Sequence, residues 1–372
     1  MYKDEALVCD QNMCTGCGLC INICPVNAIS IEDLSYAQNA VIDSAKCIKC
    51  NRCHLNCPQK VPVNANKPIE WYQGWIDNSQ DRKQSSSGGV AYAFAKGVIR
   101  RGGFVVSCLL RDGRFMFLAT QDEEELKNFR GSKYVKSDPA DVYKTVKSKL
   151  KDGNQVLFIG LPCQVAGIRR FIGEELDENL ITVDLICHGT PSIRLLKQFL
   201  KQYDIDLEKV NMISFREKQS FSISTDINLI GPRQIYDRYT LAFLNELSYT
   251  DNCYSCNYAC MERVSDITIG DSWGTDLATE ERKGISLILC QSHKGISLLH
   301  DSDIITKPVD INNAVRKNNQ LSRPSFPHKN RERFFKYLDE GKKFNRAVLL
   351  CLPKDCLRQG VKRTLLPIIH EK

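Results

Sequence analysis

The sequence predicts two folded units in one chain of 372 residues: a small cysteine-rich α+β unit at the N-terminus, followed by a larger mixed α/β domain. Residues 14–25 and 47–58 repeat one spacing of four cysteines and a proline, which predicts the first unit. After residue 85, short apolar strands alternate with helical stretches, as in β-α units that build a parallel sheet. Asp112-Gly113 between two apolar runs predicts a β-hairpin in the same domain.

Each cysteine repeat reads C-x2-C-x2-C-x3-C-P, the bacterial ferredoxin run that holds 4Fe–4S clusters. Zinc knuckles and a disulfide framework are the alternatives, but zinc sites usually pair two C-x2-C halves. We therefore predict a bacterial two-cluster ferredoxin fold over residues 1–62, with short strands near 28–31 and 40–43. Because the fourth cysteine of each run ligates the other cluster, the expected ligand sets are Cys14, Cys17, Cys20 and Cys57 for the first cluster and Cys47, Cys50, Cys53 and Cys24 for the second.

The larger unit is predicted in four stretches. Residues 63–83 are interpreted as a connector, because they carry Pro68 and three asparagines. Residues 84–152 carry a helix and the hairpin, and residues 153–325 carry two β-turn-α units followed by further strands. Residues 326–372 are expected to be a basic helical tail with a loose end.

A third cysteine group, Cys253-x2-Cys256-x3-Cys260, has only three thiols, so a 4Fe–4S cluster there needs a fourth ligand. Cys163 and Cys187 each follow a predicted parallel strand, and ligands collect at that edge of an open α/β sheet. We favour Cys187 and keep Cys163 as the alternative. His188 beside it is a candidate proton donor or, equally, a histidine that only supports the site.

Residues 85–89, Ser-Ser-Ser-Gly-Gly, precede a predicted helix and are a candidate anion cradle. A helix N-terminus offers free N–H groups, and glycine lets a phosphate approach the backbone. Residues 131–134 add Lys133 and two hydroxyls. An ordinary helix cap and an ordinary loop are the alternative interpretations.

Composition narrows the function classes. The formal charge is +7, but three clusters at about −2 each would reduce it to about +1, so the basic excess does not indicate nucleic-acid binding. No apolar run approaches the roughly 18 residues of a membrane span. The N-terminus has no signal-peptide core, and the cysteine spacings suit clusters, so we expect a cytoplasmic protein without a transmembrane segment.

Several motifs in order resemble the coenzyme F420 hydrogenase/dehydrogenase beta-subunit family over roughly residues 1–340. They are residues 85–90, 131–135, 160–164, 186–192 and 266–271, together with the third cysteine group. Leu161 and Ser272 depart from the Thr and Phe usual in that family. Members bind FAD and 4Fe–4S clusters and pass electrons between these centres and a substrate at the flavin. The resemblance implies a flavin-binding α/β domain in which FAD contacts Ser86, Ser87, Gly88 and Gly89, with Lys133 near flavin or substrate.

The sequence thus predicts an iron–sulfur flavoprotein oxidoreductase with three 4Fe–4S clusters and FAD. Electrons would pass between an external partner, ferredoxin or a redox subunit, and a small organic substrate. Coenzyme F420, the substrate of archaeal members of the family, is one candidate for it. Lys133 and His188 are the candidate catalytic residues. The alternatives are a non-catalytic electron-transfer subunit of a larger complex and a biosynthetic reductase of another substrate.

Overall fold

The computed structural model describes residues 6–139, 141–228, 230 and 234–370, with side chains in the last helix as far as residue 365. The described strands are β1 (Ala6–Leu7), β2 (Ile29–Asp33), β3 (Gln38–Ile42), β4 (Glu70–Ile76), β5 (Phe104–Arg111), β6 (Arg114–Thr120), β7 (Val156–Gly160), β8 (Leu180–Leu185), β9 (Ile213–Glu217), β10 (Ser220–Thr225), β11 (Ile267–Asp271), β12 (Ser286–Cys290) and β13 (Ile304–Lys307). The described helices are α1 (Leu19–Ile23), α2 (Arg52–Asn56), α3 (Ser79–Lys83), α4 (Val90–Arg100), α5 (Leu126–Phe129), α6 (Val142–Lys151), α7 (Pro162–Ile172), α8 (Ile193–Lys201), α9 (Arg238–Leu244), α10 (Ala278–Glu281), α11 (His293–His300), α12 (Ile311–Lys317), α13 (Arg331–Asp339), α14 (Phe344–Cys351) and α15 (Pro353–His370).

The N-terminal unit is a three-stranded antiparallel sheet, in the order β1-β3-β2, with two short helices. Each helix follows a residue with left-handed backbone, Gly18 at φ 74° before α1 and Asn51 at φ 61° before α2. This backbone turn lets a run of closely spaced cysteines curl before the helix starts. The predicted ferredoxin fold is confirmed.

The larger unit is built on an eight-stranded mixed sheet in the order β13-β4-β12-β11-β8-β7-β5-β6. The four strands β5, β7, β8 and β11 run parallel, and their neighbours on either side are antiparallel. The β5-β6 hairpin turns at Asp112 and Gly113, with φ of 49° and 68°. Two positive φ angles match the right-handed twist of the paired strands, which is why the Asp-Gly signal identifies this turn.

Helices cover both faces of this sheet. Leu157 and Ile159 of β7 pack in a core with α4 and α11, whereas their chain neighbours Val156 and Phe158 pack on the other face with α6 and α7. Side chains alternate between faces along a strand, so a strand buried on both sides reads as an unbroken apolar run. The predicted mixed α/β domain is therefore observed, with its parallel strands at the centre.

The prediction of a connector over residues 63–83 is wrong for 70–76, which form β4 between β12 and β13. Trp75 and Ile76 are buried there, and Trp75 stacks under the guanidinium of Arg82 at 4.4 Å. The polar residues around Pro68 do not show the pattern of a strand, and the strands that pair with β4 lie more than 200 residues further along the chain. Long-range pairing of this kind leaves little local signal.

The segment predicted as a basic helical tail is helical, but its helices are part of a packed core. α13 and α14 complete a separate core with α8, α9 and the small β9-β10 sheet, in which Phe334, Phe344 and Cys351 are almost fully buried. The longest helix, α15, packs on this core through Cys356. Among the described residues, no helix is long and apolar enough to span a membrane.

Candidate iron–sulfur and cofactor site

Four cysteines from both runs of the ferredoxin unit surround a small buried pocket. Cys14, Cys17 and Cys20 come from the first run and Cys57 from the second, and each is only 7–9% exposed. Burial raises the pKa of Cys17 to about 12, and the nearby thiols of Cys14 and Cys57 add to that effect. The pKa of Cys20 is raised in the same way, by burial and by the other three thiols. The structure thus brings together the set predicted for the first cluster.

The second set lies on the outer side of the same unit. Burial, followed by the nearby Cys47 and Cys50, raises the pKa of Cys53. Cys24 packs in the same small core. Cys24 and Cys57 occupy equivalent places, since each ends its helix with extended backbone, at ψ 116° and 120°. That extension directs the fourth cysteine of each run away from its own helix, as the exchange of ligands between clusters requires.

Backbone N–H groups already point at both sets. The N–H of Gly16 donates to Cys14 Sγ at 3.4 Å, and the N–H of Lys49 donates to Cys47 Sγ at 3.4 Å. In both cases the donor lies two residues after the cysteine. Such donors stabilise thiolate, the form that binds metal. All eighteen cysteines lie in the described residues and all are free thiols, so no disulfide framework forms.

Cys9 is a ninth thiol at the first set, and the sequence analysis missed it. Its side chain is hydrogen bonded to Cys14 and Cys57, and these bonds raise the pKa of Cys9 while lowering the pKa of the other two. It precedes the first run by five residues, outside the ferredoxin spacing. Nothing in the local pattern indicates its place, which follows from the pairing of β1 with β3.

A third group of thiols lies where β7 and β8 end. Burial raises the pKa of Cys187 to about 12, and the nearby Cys253 and Cys256 contribute. Burial also raises the pKa of Cys163 well above normal, where Lys136 opposes it and Cys256 and Cys187 reinforce it. Both candidates for the fourth ligand therefore lie beside Cys256.

Cys260, predicted as a ligand, is oriented differently. Its Sγ donates to the carbonyl of Glu262 at 3.1 Å and approaches that of Asn257 at 3.8 Å. It lies near Arg263 and near Cys256, whose pKa it raises. The structure therefore gathers Cys163, Cys187, Cys253 and Cys260 around Cys256, and Cys260 differs in that its Sγ donates to a backbone carbonyl.

Two buried cations suit anionic clusters at these places. Arg263 is 2% exposed, and its Nε and Nη2 have no hydrogen-bond partner among the described residues, although Nη1 donates to Tyr258 O at 2.7 Å. Its charge lowers the pKa of Cys187 and Cys256. The buried carboxylate of Asp184 also lies near this guanidinium and shares its charge with the thiols. Two nitrogens without a hydrogen bond to any described residue still leave room for a negatively charged group beside those thiols.

Lys136 is the second cation, and it bridges the first and third groups. Its Nζ donates to Thr15 O at 3.3 Å and to Asn252 Oδ1 at 3.2 Å, next to Cys14 and Cys253 respectively. In the described chain, no three His, Cys, Asp or Glu side chains converge tightly enough to hold a single metal ion. Sulfurs that surround a multi-iron cluster stand further apart than those around one ion.

The first and third groups adjoin through α7. A side chain added at Gly167 would place its Cβ 3.2 Å from Cys17 Cβ, and Tyr143 Oη lies 2.7 Å from Cys17 O. Cys17 is also among the thiols that raise the pKa of Cys163. The ferredoxin unit therefore packs with its first cysteine set against the α/β domain.

A cavity of about 440 Å³ opens at the C-terminal edge of the parallel strands, next to the third group. This volume is typical of sites for small molecules and cofactors, and the position is the usual one for ligands of α/β sheets. Six of the side chains that line it are Ser86, Lys133, Cys187, His188, Arg216 and Trp273.

The Ser-Gly loop at residues 85–89 forms one wall of the cavity. The N–H of Gly88 donates to Ser286 Oγ at 3.1 Å, and a Cβ added at Gly88 would stand 2.5 Å from Gly74 O. Only glycine lets the loop lie this close to β4 and β12. Gly89 at φ 81° then begins α4 without any side-chain cap, which leaves N–H groups at the start of the helix for a ligand.

The serines of the loop have protein partners too. Ser86 Oγ accepts the N–H of Ser132 at 2.8 Å and so ties the loop to the predicted Lys133 segment. Ser87 Oγ donates to Ile285 O at 2.8 Å. Ser86 lies on the cavity wall with its hydroxyl proton still available for donation, whereas the hydroxyl proton of Ser87 is used within the protein.

Lys133 and His188 both line the cavity. Lys133 Nζ donates to the carbonyls of Phe129 at 2.7 Å and Arg130 at 2.9 Å, and burial lowers its pKa to about 8. His188 is accessible from the cavity, yet enough protein surrounds it for desolvation to lower its pKa, against the opposing charge of Asp271. A lowered pKa favours neutral imidazole near pH 7.

Arg216 is a cavity residue that sequence reasoning missed. It forms a two-point ion pair with Asp271, at 2.7 and 3.0 Å, and also donates to Ser86 O at 3.0 Å. It thereby joins β9, the end of β11 and the Ser-Gly loop. Lys218 on the same hairpin donates to Ser87 O at 2.8 Å. An isolated basic residue in an alternating strand carries no sequence signal for such a role.

Comparisons with known proteins identify two domains in this chain. Residues 153–309 match the family described as coenzyme F420 hydrogenase/dehydrogenase, C terminus of the beta subunit. Residues 13–61 match the 4Fe–4S dicluster domain. The chain carries a domain of the F420 hydrogenase/dehydrogenase beta-subunit family behind a 4Fe–4S dicluster domain. Both parts of the resemblance seen in the sequence are confirmed.

Curated relatives carry related names. The chain is 26% identical over 227 residues to one subunit of the F(420)H(2) dehydrogenase of Methanosarcina mazei, a match that covers 55% of this chain and 63% of the relative. It is 22% identical over 309 residues to the coenzyme F420-dependent sulfite reductase of Methanocaldococcus jannaschii, covering 77% of this chain and 46% of the relative. The matches thus span about half to under two thirds of the length of these relatives.

One solved structure also aligns with this chain. It is a chain of the F420-reducing [NiFe] hydrogenase complex from Methanosarcina barkeri, at 17% identity and a TM-score of 0.49. The alignment covers 68% of this chain and 91% of the other.

Proposed function

We propose that this chain is an iron–sulfur flavoprotein oxidoreductase that relays electrons between its ferredoxin unit, a third cluster and FAD, and on to an organic substrate. One observation carries the proposal: the three thiol groups adjoin in series, and the last of them, through Cys187, lines the 440 Å³ cavity. Clusters bound at these thiols would exchange single electrons, and FAD in the cavity would couple them to two-electron chemistry.

The side chains and backbone of the protein would bind the clusters and FAD and balance their negative charge. We infer that Cys163, Cys187, Cys253 and Cys256 form the third ligand set, with Cys260 outside it, because Cys260 Sγ is engaged with Glu262 O. Arg263 and Lys136 supply buried positive charge beside the thiolates. The Ser-Gly loop and the uncapped start of α4 would bind the diphosphate of FAD, since oriented N–H groups favour anions.

Lys133 and His188 are proposed to act on the reacting end of the bound molecules. His188 faces the cavity with a lowered pKa, so its neutral ring is suited to accept and return a proton at the substrate. Lys133 is held by two carbonyls with its ammonium at the cavity wall, where it would stabilise negative charge that develops on flavin or substrate.

Coenzyme F420 is the proposed substrate on the strength of the family and of the names of its relatives. The second candidate is a non-catalytic role as the electron-transfer subunit of a complex. The name of the Methanosarcina mazei relative, one subunit of a dehydrogenase, favours it. In either case redox partners are expected. Turnover of F420 by the isolated chain with an artificial reductant separates the two, because a non-catalytic subunit gives none.

The test of the proposed function is the iron, sulfide and flavin content of protein purified without oxygen. About twelve irons and one FAD per chain are expected, since each cluster carries four irons. About eight irons without flavin would contradict both the third cluster and the flavin site. Gradual loss of flavin during purification is checked by reconstitution with FAD alone and with FMN alone, because only FAD supplies a diphosphate for the Ser-Gly loop.

A further inference from the structure

The second cysteine set reaches the protein surface through an apolar patch. Ile48 is 61% and Leu55 is 60% exposed, and they flank this set in the sequence. Cys50, between them, is the one exposed cysteine of the eighteen, all of which lie in described residues. We call the surface around Ile48, Cys50 and Leu55 the entry face.

Other routes from solvent into the ferredoxin unit are covered. The first set is buried, and α7 and Tyr143 of the α/β domain pack against Cys17. The thiols of the third group are partly buried, and none of them is as exposed as Cys50. An electron carrier too large to enter a cavity of about 440 Å³ can therefore approach the relay most closely at the entry face.

The rim of the entry face is basic. Residues 43–60 contain Lys46, Lys49, Arg52 and Lys60 against one acidic residue, Asp43, so the segment stays at about +1 once a cluster of about −2 is counted. All five are exposed, and Asp43 is already paired with Lys46 at 3.1 Å. Lys49 and Arg52, which adjoin Ile48 and Cys53, form no ion pair with any residue the structure describes. An apolar centre with a charged rim is the usual anatomy of a protein interface.

We propose that the entry face docks a small, acidic electron-carrier protein, so that the ferredoxin unit exchanges electrons with solution at its second cluster. This proposal rests on the proposed function. In each encounter the reduced carrier gives up one electron and is oxidised, and this chain takes up that electron and is reduced. Complementary charge would speed the encounter, and the small apolar centre suits a brief one, since electron-transfer complexes bury little surface.

The experiment measures binding rather than turnover. The probe is a two-cluster bacterial ferredoxin of strongly negative net charge, titrated in its oxidised form against the oxidised full chain by calorimetry. Wild type is expected to bind with a Kd that rises with added salt. The double substitution Ile48→Ser with Lys49→Glu is expected to weaken binding about tenfold or more, which corresponds to at least about 1.4 kcal/mol.

The matched control is Met212→Ser with Lys209→Glu, another exposed apolar residue near an exposed lysine, in the β9 region away from the ferredoxin unit. It is expected to bind like wild type. Equal Kd values for the entry-face and control variants, or a Kd of wild type that does not respond to salt, would overturn the proposal. Leu55→Ser with Arg52→Glu repeats the test if the first variant loses iron.

The outcome is separable from that of the proposed function. Binding of oxidised proteins needs neither FAD nor a substrate, so salt-sensitive binding at the entry face can be found even when flavin analysis fails. Conversely, the protein can contain twelve irons and one FAD while the entry-face variants bind the ferredoxin as tightly as wild type. That result would support the proposed oxidoreductase function and contradict only the docking surface.

Discussion

At the third thiol group, the directions of single side chains decide which cysteines can hold a cluster. Cys163 and Cys187 both stand beside Cys256, whereas Cys260 Sγ donates to Glu262 O. We expect Cys163→Ala to lower the iron content by about four per chain and Cys260→Ala to leave it unchanged. Iron and sulfide analysis after anaerobic purification gives the answer.

Cys260→Ala is also the matched control for general destabilisation, because it removes a thiol of similar exposure from the same region of the third group. If it loses four irons while Cys163→Ala keeps all twelve, the ligand set predicted from the sequence alone would be right and the set inferred from the structure wrong.

The ammonium group of Lys133 should make the affinity for FAD depend on pH. Burial lowers the pKa of Lys133 to about 8, so its charge is present below that pH and lost above it. If this charge supports bound FAD, the affinity should fall by up to about tenfold per pH unit above 8. Fluorescence titration of FAD between pH 6.5 and 9.5 measures this.

Lys133→Met should bind FAD more weakly and with little change across that range, whereas Lys133→Arg should stay charged and keep tight binding above pH 8. Lys218 also has a pKa lowered to about 8 and lies behind the same loop. A pH dependence that survives in Lys133→Met would therefore assign the effect to another group.

At the scale of one element, the Ser-Gly loop depends on the absence of a side chain. A Cβ at Gly88 would stand 2.5 Å from Gly74 O and 2.8 Å from Ser286 N, both backbone atoms that cannot move aside cheaply. We expect Gly88→Ala to displace the loop and lower FAD content several-fold, while the ferredoxin clusters remain.

Gly360→Ala is the control for that substitution. Gly360 lies within α15, has no atom within 4 Å of an added Cβ, and has no positive φ. Alanine there should raise helix stability by up to about 1 kcal/mol and leave the flavin content unchanged. Equal flavin content in the two variants would show that the close approach at Gly88 does not matter.

At the scale of the whole molecule, the C-terminal helices are part of the core. Phe344 is 2% exposed and packs against Phe199 and Phe334, each at 5.5 Å between ring centroids. Phe344→Ala should lower the free energy of unfolding by about 3–5 kcal/mol, because it removes a buried ring and leaves a cavity. Anaerobic urea denaturation followed by circular dichroism measures the change.

Phe326→Ala provides the comparison, since Phe326 is 61% exposed and contacts Arg323 at 4.5 Å. Its loss should change the stability by about 0.5 kcal/mol or less. A similar, small loss for both variants would mean that α13 and α14 contribute little to the stability of the fold.

Local chemistry explains which predictions could be made from the sequence. The ferredoxin spacing identifies the dicluster domain, because three thiols two residues apart already encode the curl around a cluster. The Asp-Gly turn and helix α4 are equally local, since a two-residue turn and a helical face depend on neighbours in the chain. The Ser-Gly loop could also be found in the sequence, because its serines and glycines are adjacent and directly precede a helix.

Tertiary structure alone decided the rest. β4 pairs with strands more than 200 residues away, Cys9 reaches the first set through sheet pairing, and Arg216 reaches Asp271 from 55 residues away. The order of the thiol groups, their burial and the single exposed end at Cys50 follow from how the ferredoxin unit packs on the α/β domain. The sequence by itself determined the fold of the dicluster unit and the kind of chemistry, because ligand spacing is local. The third ligand set and the route in from solvent depend on distances between remote segments, which only folding creates.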